Sequence, residues 1–78
     1  MSIDRDWHEP VYVQLAAILR QQIESGELAP GRPVPSVRTL TERYGINRAT
    51  AAKAIRLLAD ENLVHVVRGR GWFVTPGR

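Results

Sequence analysis

Only Gly45, Ile46 and Asn47 separate two stretches that each carry helical apolar spacing, and that shortness limits the possible folds more than any other feature. A glycine-containing link this short makes two helices cross steeply instead of lying side by side. Gly45 supplies the left-handed residue that ends the first helix, and Asn47 can cap the second. Ile46 is apolar and can tuck between them. Upstream, "VRTLTERY" (37–44) reads as a short helix capped by Ser36. Downstream the spacing predicts a helix over 48–61. Ala51, Ala54, Ile55 and Leu58 fall on one face, and Arg48, Ala52, Lys53 and Arg56 on another. Thr41 is small enough for a close crossing, with Ala51 packed against it. The second helix then stands clear of the body. Its exposed face starts at Asn47, Arg48 and Ala49, and no acidic residue interrupts it before Asp60.

The flanking segments complete an α+β pattern. "PVYVQLAAILRQQIESGELAPG" predicts a first helix of about sixteen residues from the recurrence of Tyr12, Leu15, Ala16, Leu19 and Ile23. Pro10 suits its first position, and Gly26 followed by Pro30-Gly31 ends it. "RPVPS" holds two prolines around Val34 and is extended or turn-like. After Asn62, "LVHVV", "RGRG" and "WFV" predict two short strands joined by a glycine-containing four-residue loop. The expected organisation is a tail over 1–9, one domain over 10–75 and a linker-like end over 76–78, with the tails frayed. At 78 residues, the stability expected from per-residue averages is roughly 4–8 kcal/mol.

Charge is partitioned along the chain. Residues 1–30 hold two cations against five carboxylates, net −3, whereas residues 31–78 hold nine against three, net +6. Ten of the eleven cations are arginine, whose planar fork matches phosphates and guanine edges. A cationic half suits a polyanion, nucleic acid before membrane, although a solvated arginine-rich surface accounts for the charge equally well. There is no cysteine, which fits a reducing cytoplasm, and the longest apolar run, "LAAIL" (15–19), is far too short to span a membrane. His8 and His65 stand without cysteine or paired carboxylates at ligand spacing, so no metal or cofactor is expected. No nucleophile, base and acid share a supporting context, and Gly69 and Gly71 lack the strand-to-helix setting of a phosphate loop. Catalysis is not expected. Trp7 and Tyr12 are expected as packing groups, with Trp7 alternatively at a dimer interface.

From Pro10 to Val74 the sequence resembles the N-terminal winged helix-turn-helix domain of GntR-type bacterial transcription regulators. The resemblance is carried by "PVYVQL", "SGELAPG", "PSVR", "YGINRAT", "AIRLLADENLV" and "RGRGWFV". Each piece is weak alone, and six in register make a specific match. The resemblance implies a small three-helix domain with a β-hairpin wing that binds double-stranded operator DNA. Ser36 and Arg38 of "PSVR" match a DNA-contacting segment, with Arg38 near the phosphate backbone and a base edge. Arg48 matches the arginine that reads a guanine in the major groove, at the start of an exposed face that includes Ala49 and Lys53. Asn47 and Thr50 match positions that hold phosphates, and Arg68-Gly69-Arg70-Gly71 match the wing, which reaches into the minor groove. The chain departs from the family pattern at Val34 (usually leucine), Ala51 (usually valine), Asn62 (usually glycine) and Trp72 (usually threonine or serine).

The resemblance further implies a repressor bound to an inverted repeat as a homodimer, at least when on DNA. Family members usually carry a second domain that binds a small effector and makes the dimer, and an effector is expected here only with such a domain. Three other readings compete: a protein-interaction module on the same fold, an architectural or partition DNA binder, and the DNA-reading head of a larger effector-binding or aminotransferase-like protein.

Overall fold

The computed structural model describes residues 3–76, and Met1, Ser2, Gly77 and Arg78 lie outside the described residues, as do the outermost parts of the two expected tails. The elements run α1 (Val11–Ser25), α2 (Val37–Tyr44), α3 (Arg48–Asp60), β1 (Val64–Val67) and β2 (Gly71–Val74). This is the α+β winged helix-turn-helix expected from the order helix, link, helix, helix, hairpin.

α1 begins one residue later than its proline suggests. Pro10 has ψ 149° and is the cap residue, its carbonyl accepting from Val13 and Gln14 at 3.1 and 3.2 Å. Leu15, Ala16 and Leu19 are fully buried, Ile18 nearly so, and Tyr12 and Ile23 pack at the margin of the core. Gly26 closes the helix at φ 88°. α3 is the central element, packed against α1, α2 and β1. The face read from its periodicity is the buried one: Ala51, Ala54, Ile55 and Leu58 are all within 1% of full burial. A leucine so enclosed stabilises the fold by about 1.5–3 kcal/mol. Ile46 is buried in the turn, as its position between two helices requires.

α3 ends at Asp60, one residue short of the expected helix, with Glu61 as its cap. Asn62 then takes φ 63°, the left-handed conformation that asparagine tolerates better than most side chains. The Leu63 amide donates back to Leu58 O at 3.0 Å and turns the chain into β1. β1 and β2 pair antiparallel with Val64 opposite Val74 and Val66 opposite Trp72. Gly71 lies opposite Val67 inside the ladder, so the loop is Arg68-Gly69-Arg70, one residue shorter than the expected four. The Arg70 amide donates to Val67 O at 2.9 Å across this turn, and Gly69 carries the positive φ of 80° that the third position of a type II turn requires.

The "RPVP" link does more than extend. Val34 N–H donates to Trp72 O at 2.8 Å and Val74 N–H to Arg32 O at 2.9 Å, bracketing a bridge between Pro33 and Phe73. This segment therefore lies along the outer edge of β2 and makes it the middle strand. Pro33 fits because the two bonds use its neighbours, so its missing N–H costs nothing. Trp72 is half-buried and packs on the core. Trp7 does not. It is 53% exposed, its ring 4.3 Å from that of His8, because the segment before α1 presents Ile3 to the core instead.

Candidate nucleic-acid interface

The surface most suited to a polyanion is built on two helix starts and one hairpin tip. Asn47 Oδ1 accepts from Thr50 N–H at 2.8 Å, and Ser36 Oγ accepts from Thr39 N–H at 3.1 Å. Each cap satisfies one of the amides a helix start leaves without a partner and contributes about 1 kcal/mol. Capping by Asn47 uses the side-chain oxygen and leaves its amide nitrogen as a donor. Past this cap, Arg48, Ala49, Ala52, Lys53 and Arg56 are exposed along α3, while Thr50 is half-buried. Small methyl groups between long cations let a helix approach the floor of a groove about 12 Å wide.

Lys53 points somewhere the helical periodicity does not foretell. Its Nζ sits 4.6 Å from the centre of the Tyr12 ring on α1. Lys53 is thus drawn toward α1, where Pro10, Tyr12, Asn47, Ala49 and Thr50 line an open groove with it. Tyr12 was legible only as part of an apolar stripe, and nothing in its spacing relates it to α3. Arg5, also unanticipated, reaches the turn between α2 and α3 and donates through Nη2 to Gly45 O at 2.6 Å.

Arg38 lies exposed on the first turn of α2, with Nε 3.4 Å from Glu42 Oε2 one turn on. Both side chains are largely in solvent, so this pair contributes little and yields readily to a stronger anion. Arg68, Gly69 and Arg70 are exposed at the hairpin turn, and Gly71 is exposed just inside β2. The second ion pair among the described residues is tighter. Arg20 of α1 forks onto Glu61 through Nε at 2.9 Å and Nη2 at 2.7 Å. The hydrogen bonds from Arg20 hold the Glu61 carboxyl below the usual carboxylate range, and the same bonds raise the Arg20 guanidinium. Both glutamates of the cationic half are therefore neutralised, while Arg48, Lys53, Arg56, Arg68 and Arg70 face no carboxylate partner among the described residues.

Among the described residues no three histidine or acidic side chains gather as a metal site, and no helix is long and apolar enough to cross a membrane. His65 sits on the exposed face of β1 with Nδ1 3.2 Å from Thr75 Oγ1.

Comparison with known proteins bears on what this surface does. Residues 11–74 match the family described as bacterial regulatory proteins, gntR family. The chain is 40% identical over 75 residues to the HTH-type transcriptional repressor NagR of Bacillus subtilis (strain 168), covering 96% of this chain and 31% of the repressor. It is 35% identical over 71 residues to the mannosyl-D-glycerate transport/metabolism system repressor MngR of Escherichia coli (strain K12), covering 91% of this chain and 30% of that protein. The chain thus spans about a third of the length of these relatives. Among solved structures, YtrA from Sulfolobus acidocaldarius, a GntR-family transcription factor, superposes with a TM-score of 0.88 at 36% identity, covering 100% of this chain and 66% of that one. The DNA-binding domain of AraR in complex with operator ORE1 superposes at 0.83 with 29% identity, covering 94% of this chain and 89% of that one.

Proposed function

The chain belongs to the gntR family of bacterial regulatory proteins, and from that premise we propose that it reads a double-stranded operator with α3 in the major groove and its hairpin turn at the minor groove, as a transcriptional repressor. The observation that carries this reading is the unpaired cationic face at the start of α3. Arg48 stands one residue past the Asn47 cap, exposed and without a carboxylate partner among the described residues. That is the end from which recognition helices reach base edges, and arginine binds guanine O6 and N7 with two parallel hydrogen bonds.

The other residues divide by chemistry. Asn47, Thr50 and the amides of the first turn of α3 hold a phosphate, which fixes register and carries no sequence information. Ser36 does the same at the start of α2, while Arg38 leaves Glu42 for the phosphate backbone and an adjacent base edge, assisting Arg48 in specificity. Ala49 lets the helix approach, and Lys53 assists from the α1 side. Arg68 and Arg70, on a turn that Gly69 and Gly71 keep narrow, enter the minor groove. One helix and one hairpin span only a short half-site, so two copies on an inverted repeat make up the operator. Repression is inferred from the relatives with repressor names. Control by an effector would need a further domain, for which those longer relatives have room.

Selection of bound sequences from a random duplex pool tests the reading and yields the operator, its symmetry and the half-site spacing together. An enriched inverted repeat is expected, and an unenriched pool would overturn sequence-specific binding. Arg48→Ala should then lose about 1–3 kcal/mol of discrimination at one base pair in each half-site. Unaltered base preference in that variant would remove α3 from the reading role.

A further inference from the structure

The segment before α1 is clasped to the body at both of its ends. Gln14, on the first turns of α1, accepts the Asp4 N–H through Oε1 at 2.8 Å and donates through Nε2 to Asp4 O at 2.8 Å and Glu9 O at 2.9 Å. One side-chain amide therefore closes the loop over residues 4–9. The loop is tightened by the Asp6 N–H on Asp4 Oδ1 at 2.9 Å and by the Trp7 N–H on Asp4 O at 3.3 Å. Ile3 anchors the same segment on the core. From this clasp Arg5 extends to the helix-turn-helix. Its Nη2 donates to Gly45 O at 2.6 Å, with a weaker contact to Tyr44 O at 3.4 Å.

Those two carbonyls belong to the C-terminal end of α2, where helical carbonyls lack amide partners and the helix dipole is negative. A guanidinium is the group such an end favours, and a charge-assisted bond there is stronger than a neutral one. The position along the chain matters more than the energy. Gly45 is the left-handed residue of the turn, at φ 64°, and its carbonyl stands two residues before the Asn47 cap. Peptide units are planar and Ile46 is buried, so a fixed Gly45 carbonyl leaves the chain little freedom before Asn47 and Arg48.

We propose that Arg5 is a positioning residue for DNA reading: held by the Gln14 clasp, it pins the Gly45 carbonyl and so fixes the approach of Asn47 and Arg48 to the bases. This rests on the reading of α3 as the recognition helix. Arg5 bonds to the protein through Nη2 alone, and in this proposal its effect on reading passes through the turn and not through a phosphate contact of its own.

The test uses the 78-residue chain as wild type, Arg5→Ala, Arg5→Lys and Gln14→Ala, all held well below their melting temperatures. Affinity is measured for the selected operator and for a scrambled duplex over a salt series. Arg5→Ala and Gln14→Ala should each lower the ratio of operator to scrambled affinity about fivefold, the size of one exposed hydrogen bond. Arg5→Lys, which can still donate to a carbonyl, should recover part of that ratio. The salt slope should stay at the wild-type value in all three. Exchange of the Thr50 and Ala51 amides, bonded to Asn47 Oδ1 and Asn47 O, should accelerate in the two alanine variants without any DNA present. A parallel loss on both duplexes with a shallower salt slope would make Arg5 a phosphate contact and overturn the proposal. An unchanged ratio with unchanged amide exchange would overturn it too. A wild type that does not prefer the selected operator would defeat the recognition-helix reading instead, and the exchange data would still decide whether Arg5 orders the turn.

Discussion

Salt dependence separates the proposed contact set from the cations that merely share its surface. Five cations are assigned to DNA: Arg48 to a base edge, and Arg38, Lys53, Arg68 and Arg70 close enough to the backbone to neutralise phosphates. Each phosphate neutralised releases counterions and adds about 0.9 to the slope of log affinity against log salt, so one subunit should show a slope of about −3.6 and an operator-bound pair about −7.2. Between 50 and 200 mM salt, a slope of about −3.6 amounts to a loss of about 150-fold per subunit. The partners these side chains already have do not reduce that figure much. Arg38 and Glu42 are 84% and 68% exposed, and an exposed pair of this kind contributes about 1 kcal/mol at most. The contact of Lys53 with the Tyr12 ring is of similar size, about 0.5–1 kcal/mol. Replacing Arg68 and Arg70 together by alanine should make the slope shallower by about 1.8 per subunit. Arg43→Ala should leave it alone, since Arg43 is exposed in the last turn of α2 and is not assigned to DNA. Fluorescence anisotropy on a labelled operator across a salt series measures all three slopes. If the wing variant kept the wild-type slope, the hairpin tip would lie away from the phosphates, and the minor-groove role would fall. If Arg43→Ala matched the wing variant, the surface would be a diffuse cationic cloud without a defined contact set.

Two further perturbations probe the scaffold. The Glu61 carboxyl is held low by Arg20, so the stability from this pair should be fully present above the ordinary carboxylate pKa and lost as pH falls through the lower folded-state value. With side chains 31% and 37% exposed, a cycle of Arg20→Ala, Glu61→Ala and the double variant should give a coupling of about 0.5–1 kcal/mol at pH 7. Thermal melts should find that coupling gone at strongly acid pH, and a coupling that survived there would mean the pair is not held by charge. For Tyr12, a cycle of Tyr12→Leu with Lys53→Ala read on operator affinity should be non-additive by about 0.5–1 kcal/mol. Additive losses would mean that the ring does not set where the lysine reaches the DNA.

Much of the fold was legible because each feature rested on local chemistry. Glycine and asparagine at 45 and 47, the alternating "LVHVV" and the buried stripe of α3 each specify their own conformation. What could not be read depends on residues distant in sequence. "RPVP" was legible as extended, but its place beside β2 is decided by the Trp72 and Val74 backbones, which no local pattern joins to it. Lys53 over Tyr12 and Arg5 on Gly45 are side-chain contacts between segments whose periodicities say nothing of one another. Trp7 is a sound core candidate by composition but is 53% exposed, which suits the interface role also expected of it better than core packing. The Gln14 clasp turns the segment so that Ile3 takes the place in the core. The errors of one residue, at Pro10, Glu61 and Gly71, fall at element ends, where a cap and a first turn use the same residue types.

The helix termini themselves indicate that this surface serves something other than stability. A helix favours carboxylates in its first turn and cations in its last. α3 has neither: it opens with Arg48 and closes with Asp60, the reverse of the order its dipole favours. α2 likewise carries Arg38 in a first turn that has no acidic residue. Each inverted terminus costs about 0.3–1 kcal/mol relative to the favourable arrangement. The caps follow the same rule. Aspartate caps about as well as asparagine or serine and would also complement the dipole, yet Ser36 and Asn47 are both neutral. A sequence under pressure for stability alone would have placed charge at these ends differently, within a total margin of only several kcal/mol. A carboxylate at either start would repel a phosphate from the amides that the helix leaves free, whereas a cation there is repelled by the dipole only until a polyanion arrives. The two helix starts that the proposed interface needs both pay this local penalty, while α2 keeps a favourably placed Arg43 in its last turn. At the two helix starts that would touch DNA, this conflict between local preference and sequence is what selection for binding leaves behind.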